Sequence, residues 1–196
     1  MGTRVLALTV AVLCFGRAEL GFPWGEQGST LFMEKAIDAL SGSLKGYYKD
    51  RKKALTETLG DPARFGTRML FEVDRLESFP FEGLPADRKL AIRKYGEVAI
   101  EEAGDVPWRL IESYQALVEA FRKSDFESTV SISAEIAYYV GEMYVPVNVS
   151  KNGDGEPTGQ HGLRERFDSR LLEIYGGKIK VDTPNSIYLD RPEEYA

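Results

Sequence analysis

One polar stretch, Asn148 to His161, gathers several residue types that could bind or react, the lone histidine among them. Ser150, Asn152 and Asp154 alternate ahead of Gly155, which resembles part of a calcium loop, where alternating oxygen side chains and a glycine turn surround a hard cation. The twelfth position of such a loop would be His161 rather than a bidentate Glu, and the first is Ser150 rather than Asp. A polar loop that uses Gly and Asn for its turns is the plainer reading. Gly153-Asp154-Gly155 lacks the strand–turn–helix setting of a phosphate-binding loop. Asn148-Val149-Ser150 is a glycosylation sequon, meaningful only on an exposed site in a eukaryotic secretory pathway. Nothing sets a nucleophile beside His161, and a lone histidine in a loop reads as solvent-exposed. The single His excludes any site built from several imidazoles, including the multi-His zinc centres of most metallohydrolases, and the single Cys excludes an intrachain disulfide framework.

Composition is that of a globular chain, with 43% hydrophobic and 29% charged residues, and 196 residues can bury a real core. Lys+Arg 25 against Asp+Glu 31 gives a formal charge of −6, so no basic surplus supports a grip on phosphate backbones, and no nucleic-acid binding is expected. Residues 1–18 read as a secretory signal. Arg4 supplies the positive start, Val5 to Phe15 is apolar apart from Thr9, and Gly16 and Ala18 offer small residues at the −3 and −1 positions. The run is shorter than a bilayer span. Cleavage after Ala18 removes Arg4 and Arg17 from the 25 basic residues and none of the 31 acidic ones, moving the charge from −6 to −8. Cys14 leaves with the leader, and Leu13 is not the small residue a lipoprotein anchor wants. The expected location is secreted or periplasmic; membrane attachment through an uncleaved segment is the alternative.

The elements that must position any site read as helical. Leu31, Ala36, Ile37 and Leu40 have helical spacing, broken at Ser41-Gly42-Ser43. Tyr47 to Leu59 predicts a second helix, ended by Gly60-Asp61-Pro62. Phe79 to Pro85 is a loop, because its two prolines and one glycine cannot continue a helix. Ala86 to Ala103 predicts a helix with Asp87 near its start, stopped at Gly104-Asp105-Val106-Pro107. Trp108 to Lys123 is the cleanest amphipathic stretch, with Leu110, Ile111, Tyr114, Leu117, Val118 and Phe121 on one face. Phe126 to Tyr144 predicts another helix, Val149 to Gln160 a Gly-rich loop, and Leu163 to Tyr175 a last helix. Gly176-Gly177 opens a tail with strand-like alternation and acidic ends. The expectation is all-α: a single multi-helix domain over 19–177, of roughly six or seven helices, and an irregular C-terminal tail over 178–196.

Several segments in order resemble the zinc-dependent phospholipase C and fungal single-strand nuclease superfamily. Trp24-Gly25-Glu26-Gln27-Gly28-Ser29 is similar to its W-G-x-x-G-H. Tyr138-Tyr139-Val140-Gly141-Glu142, running through Val145-Pro146-Val147-Asn148, follows H-x-x-x-D-x-x-x-x-x-H with the proline two residues before the last position. Gly162-Leu163-Arg164-Glu165-Arg166-Phe167-Asp168 is similar to G-x-H-x-[KR]-aromatic-E. Between them, Gly104 to Arg109 resembles the G-x-x-P-W-R of bacterial relatives, and Asp154 to Gln160 their D-G-x-x-T-G-Q loop. The order and spacing cover almost the whole mature chain. The resemblance implies the helical phospholipase C fold and, in the family, three clustered zinc ions that activate water against a phosphodiester. Their ligands are the amine and carbonyl of an N-terminal Trp, several His and a few Asp or Glu.

Carried across residue by residue, the family's ligands are mostly replaced. Ser29 stands where the first His should be, Met69 (within Met69 to Asp74) replaces a second, Tyr138 and Asn148 replace two more, and Arg164 replaces the His of the third motif. Glu142 stands for Asp and Asp168 for Glu; for the remaining Asp, Asp50 and Asp61 are both candidates. His161 lies three residues from the ligand position and is not counted. Cleavage after Ala18 makes the Trp24 nitrogen an internal amide, and cleavage directly before Trp24 would put the disfavoured Pro23 at −1.

The resemblance therefore implies a pocket at the former ligand positions Trp24, Ser29, Met69, Tyr138, Glu142, Asn148, Arg164 and Asp168, with no catalytic residue, no metal and no cofactor expected. Tyr138 and Glu142 lie one helical turn apart, as do Arg164 and Asp168, and in a family-like fold the two faces converge. Arg164 is then expected to bridge Glu142 and Asp168, taking over part of the zinc's charge. The plainer alternative has Arg164 in solvent and the pocket filled with apolar side chains. The leading functional expectation is a catalytically inactive relative whose pocket is structural or binds an anionic small molecule through Arg164, with Tyr138 and Asn148 as donors. One alternative is a residual phosphodiesterase acting on phospholipids or nucleotides. It would hold one divalent metal, zinc or another, through Glu142 and Asp168, and two carboxylates suit Mg²⁺ better than Zn²⁺. A second alternative is a protein-interaction module that meets its partner through the tail from Ile179 to Tyr195.

Overall fold

A computed structural model of the chain describes residues 24–61, 65, 70–178 and 186. The expected leader, Met69 and the tail beyond Lys178 other than Ser186 lie outside the described residues, as does the side chain of Asp168. Among the described residues all regular structure is helical, so the all-α expectation holds.

Helix α1 spans Gly25–Ala39, α2 Gly42–Asp50 and α3 Lys52–Leu59. The one helix expected over 47–59 is therefore two, reset at Arg51, whose guanidinium folds back over the Tyr47 ring, 3.9 Å from its centroid. The breaker Ser41-Gly42-Ser43 redirects the chain and at once starts α2, with Gly42 at φ 57°. The helix expected over 86–103 is likewise divided at Gly96, φ 89°, into α4, Arg88–Tyr95, and α5, Glu97–Ala103. Asp87 caps α4 by accepting from the Leu90 N–H at 2.9 Å.

Helices α6, Val106–Arg122, and α7, Phe126–Met143, form the most extensive pair in the fold. Pro107 sits in the first turn of α6, where its missing N–H costs nothing. Asp125 caps α7 through the Ser128 N–H at 3.1 Å and the Ser128 hydroxyl at 2.7 Å. The expected apolar face of α6 is only partly buried, and Tyr114 is exposed. Beyond its buried first turn, Val106 to Trp108, α6 buries Ser113 and Ala120, seven residues apart, where small side chains let it lie close to its neighbours.

Helix α7 is the axis of the molecule, packing against α6, α3 and α1, with Leu55, Leu59, Ala134 and Tyr138 in the shared core. The segment after residue 70 crosses this axis: the Phe71 N–H donates to the Asn148 carbonyl at 3.0 Å and the Glu72 N–H to the Ala103 carbonyl at 2.7 Å. Gly104 permits the crossing, since its φ is 99° and a Cβ there would lie 1.6 Å from the Leu70 carbonyl oxygen. The indole N–H of Trp108 fixes the loop at the Pro85 carbonyl, 3.1 Å away. The last helix is irregular: α8, Leu163–Glu165, passes through a π turn at Arg166–Arg170 into α9, Leu171–Tyr175, which lies along α1. No helix among the described residues is long and apolar enough to cross a membrane.

Candidate functional site

The C-terminal end of α7 carries Tyr138, Gly141 and Glu142. Beyond Met143 the chain folds back through a 3-10 turn, Pro146–Asn148, closed by the Val145 N–H on the Glu142 carbonyl at 3.2 Å and the Asn148 N–H on the Val145 carbonyl at 2.8 Å. That return brings the Asn148 side-chain amide against the Glu142 carboxylate, and Nδ2 donates to Oε2 at 2.5 Å. Both residues are buried, at 2% and 5% exposure, so the hydrogen bond replaces water that the carboxylate has lost. Tyr138 is buried one turn earlier, its ring 4.9 Å from that of Phe65, so aromatic packing occupies part of the expected pocket.

Trp24 draws the three resembling segments together. Its indole N–H donates to the Gly141 carbonyl at 3.3 Å, next to Glu142, and its ring lies 5.6 Å from Phe167 of the third segment. Ser29 is buried one turn into α1, beside Gly28, where a Cβ would come within 2.5 Å of the Leu172 side chain. The first motif's glycine thus serves the approach of α1 to α9.

Arg164 enters the site from the loop side. Asp154 caps α8, accepting from the Arg164 N–H with Oδ1 and from the Gly162 N–H with Oδ2, both at 3.2 Å. Gly155, at φ 79°, lets the loop close through the Gln160 N–H on the Gly155 carbonyl at 2.8 Å. Of the side chains that resembled a calcium loop, Ser150 donates to Asp74 at 3.0 Å and Asp154 is taken up by backbone N–H groups. His161 is exposed.

The expected Arg164–Glu142 bridge is not formed among the described residues. Glu142 meets the Asn148 amide instead, and Arg164 lies against Gly153, where a Cβ would fall 2.4 Å from Nη2. The backbone passes from α8 into the π turn at Arg166, and the Asp168 half of the expected bridge lies outside the described side chains. Among the described residues, three buried polar atoms lack a partner: Asn148 Oδ1, Asn152 Oδ1 and Arg164 Nε. Asn152 and Gly153 were weighed from sequence only as fragments of a calcium or phosphate loop and set aside as turn residues, since a Gly- and Asn-rich loop signals turns and not a wall. Phe167 was visible only as the aromatic of its motif.

Beside the site, Tyr139, the residue after Tyr138 on α7, donates to Glu135 at 2.6 Å. Burial first, and then the Glu135 carboxylate, push its phenol pKa far above the ordinary value. Arg109 is held on Asp105 at 2.6 Å and lends a further bond to Tyr139, tying α6 to α7.

The family's zinc cluster does not fit these residues. Ser29, Tyr138 and Asn148 stand in place of imidazoles, and a guanidinium has no lone pair to offer a metal. On Glu142 one oxygen already faces an amide donor. Among the described residues no group of three or more His, Cys, Asp or Glu side chains could hold a metal ion. Comparison with protein-family models, curated proteins and solved structures returns no match.

Proposed function

We propose that this chain is a secreted or periplasmic, catalytically silent relative of the zinc-dependent phosphodiester hydrolases, whose former metal pocket is closed by internal hydrogen bonds and whose remaining reactive feature is an anion contact at Arg164. The observation that carries this reading is the Asn148 amide seated on the buried Glu142 carboxylate: a hydrogen-bond donor stands where a hydrolase would have a cation. The Arg164 Nε, enclosed and without a partner, supplies the anion contact. Tyr138, packed on Phe65, supports the wall and not the ligand.

Two assays test it together. The purified chain should not hydrolyse bis-p-nitrophenyl phosphate above the buffer rate, with or without added Zn²⁺ or Mg²⁺. Inorganic phosphate should bind weakly by calorimetry, and Arg164→Ala should abolish that binding while lowering stability by far less than the roughly 3–5 kcal/mol expected for breaking a buried ion pair. Metal-dependent turnover would overturn the silent reading, and equal phosphate binding by Arg164→Ala would overturn the anion contact.

A further inference from the structure

We infer that Asn152 is a self-modification site, whose side-chain amide is converted to a carboxylate by attack of the Gly153 backbone nitrogen, and that the new charge lands beside Arg164. The effect on anion binding rests on the proposed Arg164 contact; the conversion itself does not. It follows first from the reason a glycine stands after Asn152. A Cβ on Gly153 would lie 2.5 Å from the Val147 carbonyl oxygen and 2.4 Å from Arg164 Nη2. The close approach of that backbone holds the position to glycine, the residue that screens its own N–H least.

The local bonding leaves both reacting groups loosely held. Asn152 opens a turn in which the Gly155 N–H donates to its carbonyl at 2.8 Å, and among the described residues the Gly153 N–H donates to none. Asn152 Nδ2 reaches Thr158 Oγ1 at 3.3 Å, a long bond, and Oδ1 is enclosed without a partner. Asn148 is the counter-example in the same segment. Its amide is buried on Glu142, and the β-branched Val149 follows it.

In the reaction the Gly153 nitrogen loses its proton and bonds to Asn152 Cγ. The Nδ2 group leaves as ammonia, taking up that proton, and a cyclic imide remains. Water then opens the imide at either carbonyl, giving an aspartate or its β-linked isomer. Water is exchanged for ammonia, with no oxidant or reductant consumed. Both products set a carboxylate one residue from the glycine on which the Arg164 guanidinium lies, where it offsets the positive charge an anion would seek.

The test is peptide mass mapping of the folded chain during storage at neutral and mildly alkaline pH. Acid and β-linked forms should accumulate at Asn152 and not at Asn148, faster at the higher pH because the attacking nitrogen must shed its proton. Asn152→Gln, which would have to close a larger ring, should stay intact. Asn152→Asp reproduces the direct product and should weaken inorganic phosphate binding about tenfold by calorimetry. It should also lower the melting temperature more in the Arg164→Ala background than in the parent, because there the carboxylate has no guanidinium to meet. Asn152 still an amide in the folded chain, after chain unfolded in guanidinium chloride has converted, overturns the modification. An equal melting shift of Asn152→Asp in both backgrounds overturns its effect on Arg164. A parent that binds no phosphate refutes the Arg164 contact alone, since the mass and melting readouts decide the modification without it.

Discussion

At the scale of single residues, the pocket is governed by what a buried carboxylate demands. Glu142 has left water, and the Asn148 amide is one of the groups that make this tolerable. Asn148→Leu keeps the bulk and removes the donor, so it should cost about 1–3 kcal/mol and lower the melting temperature. Asn148→Asp is the sharper variant. It sets a second carboxylate against Glu142, and like charges in a shared site resist ionising together, so its deficit relative to the parent should shrink as pH falls toward the carboxylate range. An unchanged melting temperature in both variants would show that this hydrogen bond does not hold the site. Sequence alone placed Glu142 and Asn148 among the former ligand positions, on either side of a proline, without pairing them; the fold-back through that proline turn joins them. It also pointed to an Arg164 bridge. That expectation set Arg164 on Glu142, whereas the loop seats its guanidinium against Gly153, and a Gly-rich loop does not announce from its side-chain types which residue will rest on it.

At the scale of elements, the helices with a strong amphipathic or capping signal were legible and the joints between them were not. Asp87 and Asp125 mark helix starts that the structure uses, and the long pair α6 and α7 falls within two residues of its expected bounds. Gly96 was not read as a boundary because an isolated glycine in a helical pattern is also tolerated within a helix; only its positive φ decides for a break. The buried stripe of α6 was misjudged for a related reason: hydrophobicity ranks Leu117 above Ser113, whereas close helix approach selects the smaller side chain. Gly104 shows how an element joint can carry weight out of proportion to its size. It admits the Leu70 carbonyl at a distance no side chain could share, in a backbone conformation that other residues resist. Gly104→Ala should therefore destabilise the chain by at least about 1–3 kcal/mol, read as a fall in melting temperature, with the 70–76 crossing disrupted. A neutral effect would mean that the crossing is not essential to the fold.

At the scale of the whole molecule, charge and metal are the two conditions that solution experiments can vary. Glu77 is held below the usual carboxylate range by the Lys94 ammonium and then by the Tyr95 hydroxyl, and Asp125 by the Ser128 hydroxyl and N–H. A carboxylate depressed in the folded state contributes stability that is fully present above its unfolded pKa, near 4, and is lost as pH falls through the lower folded value. Stability should therefore decline on the acid side of about pH 4, and Glu77→Gln should flatten that decline; a profile identical to the parent's would remove Glu77 from the cause. The central claim of the proposed function, that the pocket around Glu142 and Asn148 holds no metal, is tested most directly by elemental analysis of chain purified without an affinity tag from zinc-containing medium. The expected result is zinc far below one equivalent, with the melting temperature unmoved by a chelator. Tightly held stoichiometric zinc, with a melting temperature that drops when it is stripped, would contradict the claim and favour the metal-dependent phosphodiesterase reading.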